Sequence, residues 1–150
     1  MVNPRLVRSI EAHWEEIALT TARRIRQDAD VSHMASLTDP ELRDWVHNIL
    51  TLLPSWPSAK LNETITEKFQ ESGRRRFENS IPLPEAVRCL QILKHVVFDF
   101  TRSRGFAQNA IEVYEQEELE HGFGLLFDRL EYAVVRGYEE ARSLAPARAK

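Results

Sequence analysis

The sequence predicts an all-α fold, a single bundle of five to six helices that ends in a long C-terminal helix. Three observations carry the prediction. Apolar residues recur at three- and four-residue spacing along almost the whole chain, no stretch alternates strictly as a half-buried strand would, and cap residues and prolines punctuate the periodic segments. With 150 residues and 43 % apolar content the chain has the length of one ordinary domain and enough apolar surface to build a core. Residues 1–144 read as that domain, and 145–150 as a frayed tail.

The first segment opens at Asn3-Pro4, where a cap residue precedes a proline whose missing N–H is not needed in a first turn. Leu6, Ile10, Trp14, Ile17, Thr21 and Ile25 then form one stripe, which stops near Asp28 to Asp30. The second segment starts at Thr38-Asp39-Pro40-Glu41, a capping box in which Thr38 and Glu41 satisfy each other's backbone N–H groups. Leu42, Trp45, Val46, Ile49, Leu50 and Leu53 supply its buried face, and Pro54-Ser55-Trp56-Pro57 stops it, with Ser58 placed to cap the next helix.

The third segment carries Leu61, Ile65, Phe69, Gly73 and Phe77 on an otherwise charged surface, so it belongs on the outside of the bundle. Ile81-Pro82-Leu83-Pro84 breaks the chain. Val87, Leu90, Leu93, Val97, Phe98 and Phe100 cover more than half the circumference of the following helix, which makes it the central one; Arg104-Gly105 ends it. The last segment, Asn109 to Leu144, is about 50 Å long if unbroken, with Gly122 and Gly124 marking a bend and Leu119, Phe123, Leu126, Leu130, Val134, Gly137 and Ala141 as its stripe. Gly73 and Gly137 each sit inside a helix, where glycine costs about 1 kcal/mol relative to alanine. Close approach of another helix is the plain account of both; a ligand or dimer partner touching the backbone is the sharper one.

Composition excludes several function classes. Twenty Lys and Arg against 23 Asp and Glu leave a net charge of −3, which gives no general attraction to a phosphate backbone. Arg74-Arg75-Arg76 splay over about 200° of a helix rather than forming a stripe, so ion pairs with Glu71 and Glu78 or a partner-docking spot describe them better than nucleic-acid binding. No apolar run approaches the roughly 20 residues a membrane-spanning helix needs. Arg5 and Arg8 are not followed by a signal-peptide apolar region and Cys89 is the single cysteine, so the expected compartment is the cytoplasm.

Candidate chemistry is sparse. Glu118-x-x-His121 puts a carboxylate and an imidazole on one helix face, as in di-metal bundles, but the nearest second copy is Asp44-x-x-His47, which uses the shorter carboxylate, and a solvated acidic face accounts for the surrounding glutamates. His95, on the most apolar helix, is a candidate haem ligand or a partly buried histidine bonded to a neighbour. Cys89 lies in a helix as a packing residue, and no phosphate loop, nucleophile elbow or paired-cysteine motif is present; an enzyme is not expected, nor a bound cofactor.

The order of motifs resembles the N-terminal sensory domain of RsbRD-type proteins, the co-antagonists of the stress-response regulator RsbT. The resemblance runs over roughly residues 8 to 142. It is carried by Trp14 and Arg26-Gln27-Asp28, by Leu37-Thr38-Asp39-Pro40-Glu41-Leu42, and by Ser72-Gly73-Arg74-Arg75-Arg76-Phe77 leading into Ile81-Pro82-Leu83-Pro84-Glu85-Ala86-Val87. Leu90 and Leu93, Tyr114 with Glu117-Glu118-Leu119, and Phe127-Asp128-Arg129 with Tyr132 continue it. The resemblance implies a globin-like all-α fold without haem, usually dimeric, that sits ahead of an output domain and acts by protein contact; it brings no catalytic residues. No phosphorylatable STAS, kinase or DNA-binding module follows residue 144, so the chain is expected to be either part of a longer protein or a free-standing sensor that binds a partner.

The functional expectation is therefore a non-enzymatic bacterial signalling domain. It would form a homodimer, accept a small-molecule or protein signal, and pass it to a signalling protein by helix-interface shifts. The alternative is a haem or metal sensor using His95 or Glu118 with His121. The aromatic set Phe123, Phe127, Tyr132 and Tyr138 on the last helix is the candidate dimer face, with core filling as its rival reading, and Arg74 and Arg76 are candidate partner contacts.

Overall fold

The computed structural model describes residues 4–56, 59–103 and 109–146; Asn3, Ser58, Arg104-Gly105, the side chain of Leu61 and the last four residues lie outside them. Among the described residues there are six α-helices and no strand: α1 (Pro4–Ala12), α2 (Trp14–Gln27), α3 (Asp39–Leu50), α4 (Ala59–Glu78), α5 (Leu83–Ser103) and α6 (Ala110–Leu144). Short 3₁₀ turns at Ala29–Val31, Met34–Ser36 and Leu53–Ser55 bridge some of them. The expected all-α bundle with a long C-terminal helix is what forms.

The first predicted helix is two. His13 sits at φ −114°, ψ 21°, and its Nδ1 lies 2.8 Å from the Ser9 carbonyl oxygen, which the His13 backbone N–H also approaches at 3.1 Å. A side chain competing for the helix's own acceptor loosens the turn. The apolar stripe crosses the break unaltered: Leu6, Ile10, Ile17, Thr21 and Ile25 are all buried, and the Thr21 hydroxyl donates to the Ile17 carbonyl at 2.8 Å. The capping box at α3 forms, with the Glu41 N–H donating to Thr38 Oγ1.

Helix α5 is central, packed on α2 along one side and α6 along the other. Its buried face is wider than the sequence stripe, because Ala86, Cys89, Ile92 and Val96 join Leu90, Leu93, Val97 and Phe100, while Val87 and Phe98 are only partly covered. Glu85, in its first turn, is also buried. Its carboxylate accepts the His33 and Met34 backbone N–H groups at 2.7 and 3.2 Å and meets His33 Nδ1 at 2.5 Å, so the loop after α2 is stapled to the start of α5. Ion pairs reinforce the layer: Arg24 with Asp99, and Arg102 with Glu120 through two hydrogen bonds of 2.8 and 3.0 Å.

Helix α4 lies on the outside and packs chiefly along α6. The two backbones meet at glycines. A Cβ on Gly73 would lie 2.8 Å from the Tyr138 nitrogen, and one on Gly137 would lie 2.6 Å from the Gln70 carbonyl carbon. Close helix approach is therefore the reason for both glycines. Helix α4 ends in a Schellman motif, with the Ile81 N–H reaching the Arg76 carbonyl and the Ser80 N–H reaching that of Phe77. Ser80 takes the left-handed conformation, φ 59°, that glycine usually fills there. Helix α6 stays helical through Gly122 and Gly124, and the Trp56 indole donates to the Gly122 carbonyl at 3.1 Å.

Candidate functional site

The residues singled out from sequence separate into three groups. Phe123 and Phe127 are core, not surface: both are fully buried, their rings stack with centroids 6.3 Å apart, and Phe98 meets Phe123 edge-on at 6.4 Å. This corrects their assignment to a dimer face. Buried on the α5 side of α6, they have no surface to offer a partner. Tyr138 is tied down as well, its hydroxyl donating to the Ile81 carbonyl at 2.8 Å and its ring edge-on to Phe77 at 5.4 Å. Tyr132 is exposed, with the Arg129 guanidinium 5.8 Å from its ring centre.

The haem and metal candidates lie on open surface. His95 points to solvent on α5, whereas a proximal haem ligand needs an apolar cavity around it. Glu118 is exposed and accepts the Tyr114 hydroxyl at 3.1 Å, and His121 is exposed one turn on. His47, in the near copy of that motif, stacks on Trp14 with centroids 4.3 Å apart. Among the described residues no three His, Cys, Asp or Glu side chains are grouped to hold a metal ion. Cys89 is buried between helices, and burial pushes its thiol up to about 12, which leaves almost no thiolate for nucleophilic attack at neutral pH.

Arg74 and Arg76 part company. Arg74 is exposed and pairs with Glu71 at 3.5 Å. Arg76 turns inward and lines a cleft of about 310 Å³ between α3 and α4. Glu41, Asp44, Trp45 and Asn48 form one wall, and Lys68, Ser72, Arg75 and Arg76 the other, over a floor that includes the buried Phe69. The gap exists because α3 packs against α2 while α4 packs against α6. Burial, together with repulsion from Arg75, holds the Arg76 guanidinium below its ordinary pKa, opposed by attraction from Cys89 and Glu41. Among the described residues the Arg76 guanidinium makes no ion pair and no hydrogen bond.

Helix α6 has a second apolar line that the sequence reading passed over. Ile111 is 72 % exposed, Tyr114 60 %, Leu125 50 % and Tyr132 55 %. Their numbers fall at the a and d places of a heptad that also contains Glu118, His121 and Asp128, so they lie along one outward face. The signal was present in the sequence, hidden because three polar residues interrupt it and because the stronger inward stripe on the same helix drew the aromatic residues into one set.

The family described as the RsbT co-antagonist protein rsbRD N-terminal domain matches residues 15–149. The chain belongs to that family. No curated protein and no solved structure shows a significant similarity to it. Membership in the RsbRD N-terminal family implies a sensory domain of stress-response signalling. In this RsbRD domain the stretch Ser72 to Val87 builds the end of α4, its Schellman cap and the first turn of α5, and thereby places Gly73 on α6, Arg76 in the cleft and Glu85 on the His33 loop. No described helix is long and apolar enough to cross a membrane.

Proposed function

We propose that residues 1–144 act as one non-enzymatic sensory domain that works in the cytoplasm as a homodimer, joined through the outward face of α6. It passes its signal to a stress-signalling protein, in keeping with a family described as RsbT co-antagonist proteins. The observation that carries the reading is the line Ile111, Tyr114, Leu125 and Tyr132, large apolar side chains half or more exposed along one 35-residue helix. Such a face is stable in water when something covers it.

A second copy suits it. In an antiparallel two-fold pairing, a positions meet d positions, and the register that sets Leu125 opposite Tyr114 of the partner subunit also sets Glu118 opposite His121 of the partner subunit. One pair of polar interruptions then becomes complementary, while the third, Asp128, falls opposite Ile111 of the partner subunit near the end of the contact. A signal that moves α6 by about 1–2 Å at this interface would reach the partner protein as a repacked surface.

Sedimentation equilibrium at micromolar concentration tests the reading. The expected mass is twice the 17.4 kDa of the chain, falling to the single-chain value in Leu125→Glu and Tyr132→Glu with helical circular dichroism intact. A wild-type chain that stays monomeric, or variants that stay dimeric, would overturn it.

A further inference from the structure

We infer that the α3–α4 cleft is a binding site for a small organic anion, a carboxylate or phosphate ester with an apolar ring or short chain, gripped by Arg76. The inference deepens the sensory reading above by naming the class of molecule sensed.

Four features of the cleft support it. Its volume of about 310 Å³ is that of a small-molecule pocket. Arg76 is half-buried with all five N–H donors unclaimed by any described residue, and a guanidinium partly removed from water without a partner is unfavourable until an anion arrives. The planar fork of arginine matches the two oxygens of a carboxylate or phosphate. Lys68 and Arg75 stand on the same wall and, like Arg76, pair with no described carboxylate, so three cations face the cleft from α4.

The other wall sets the rest of the ligand. Trp45 and Phe69 offer an aromatic surface for a ring or chain, and Asp44, which pairs with no described cation, can accept from an N–H or O–H donor at the far end. Glu41 is less available because it is engaged in the Thr38 capping box. The two rims thus read opposite ends of one molecule.

Position makes the site useful. Arg76 lies one helical turn from Gly73, where α4 is in backbone contact with α6. An anion that draws α4 toward α3 moves the helix that is locked to the proposed dimer face.

The test follows the indole N–H resonance of Trp45, identified by its loss in Trp45→Phe, during titration of the full chain with phenyl phosphate, benzoate, inorganic phosphate and, as a cation control, benzylamine. Phenyl phosphate or benzoate should give a saturable shift, and benzylamine should not. Arg76→Gln should weaken anion binding by about ten-fold or more, while Arg74→Gln, paired outside the cleft, should leave it unchanged. Arg76→Lys, which keeps the charge and loses the fork, should give intermediate affinity and serves if Arg76→Gln fails to fold. The inference is overturned if none of the three anions moves Trp45 up to about 10 mM, if benzylamine binds as well as the anions, or if the Arg76 variants bind like wild type. Loss of anion binding with an intact α6-dependent dimer removes this inference alone; anion binding by a chain that sediments as a monomer removes the dimer reading alone.

Discussion

Replacing Gly137 by alanine should destabilise the protein, although alanine is the better helix former. On an open helix surface the change would stabilise by about 1 kcal/mol through propensity. At position 137 the new Cβ would lie 2.6 Å from the Gln70 carbonyl carbon and 2.7 Å from its Cα, far inside the roughly 3.5 Å of an ordinary carbon contact. The obstacle is backbone, which no rotamer change can move aside, so α4 and α6 must separate by about 1 Å along the largest helix pair in the fold. Overpacking of this kind costs about 1–3 kcal/mol, and the rigid neighbour puts this case at the upper end; after the propensity gain the net loss is about 2 kcal/mol. Gly73→Ala should behave alike, since its Cβ would meet Val134 and Tyr138 backbone atoms. Gly124→Ala on the same helix meets nothing within 4 Å and should instead gain about 1 kcal/mol. Urea denaturation followed by circular dichroism separates the signs, and a fall in Tm of roughly 4–8 °C should accompany the loss at Gly137. If Gly137→Ala and Gly124→Ala are equally stabilising, the backbone contact between α4 and α6 does not exist.

Three further substitutions probe other parts of the same physics. Glu85→Ala strips the acceptor from the His33 and Met34 backbone N–H groups and should cost about 2–4 kcal/mol in denaturant unfolding, with Glu85→Gln recovering part of it; a neutral Glu85→Ala would show that the loop needs no staple. Ser80→Gly relieves a left-handed residue in the Schellman cap and should raise stability by up to about 1 kcal/mol, whereas a loss would mean that the backbone there is not left-handed. Burial raises the pKa of Glu131, with Asp128 adding to the rise and Lys94 opposing it, so the folded state binds the proton more readily than the unfolded one. Stability therefore falls as pH rises from the unfolded value through the folded one, and Glu131→Gln should stabilise the protein at pH 7 by less than about 1 kcal/mol while flattening that slope; an unchanged pH profile would refute the assignment.

Local chemistry in the sequence placed the elements well because each signal acts within a few residues. Thr38 with Glu41 and the Pro82 and Pro84 break each determine a helix end through hydrogen bonds or missing donors nearby. The break at His13 was not legible, since it depends on one imidazole choosing the Ser9 carbonyl. Gly73 and Gly137 were legible as close-approach sites, but not as each other's neighbours, because spacing along a helix says nothing of which helix lies opposite. The same gap explains the aromatic residues of α6. Phe123 and Phe127, four apart, share a face and Tyr132, nine positions after Phe123, lies on the opposite one, but only the position of α5 decides which side is core and which is solvent. Arg76 stood out from Arg74 for no reason visible in Arg74-Arg75-Arg76; the wall opposite, α3, supplied the difference.

The arrangement of helices also constrains how a signal could travel. Helices α2, α3 and α5 form one packed group, and α4 grips α6 through backbone contact that tolerates no extra methyl group. The Phe77–Tyr138 edge contact and the Tyr138 bond to Ile81 tie the end of α4 to α6 again, so motion of α4 relative to α6 is resisted at two places about one turn apart. Between α3 and α4 there is instead a cleft. Displacement is easiest where packing is least, which makes that cleft the natural hinge line, with α4 moving together with the part of α6 that it grips while the start of α6 stays packed on α5. An anion bridging the hinge line and a second copy seated on α6 would then act on one equilibrium, and linkage requires the effect to be mutual: whatever factor the anion adds to dimer affinity, dimerisation adds to anion affinity. Measuring the Trp45 titration with wild type and with a dissociated Leu125→Glu variant gives that factor directly. Equal anion affinities in the two would mean that the cleft and the α6 face do not communicate, however well each binds.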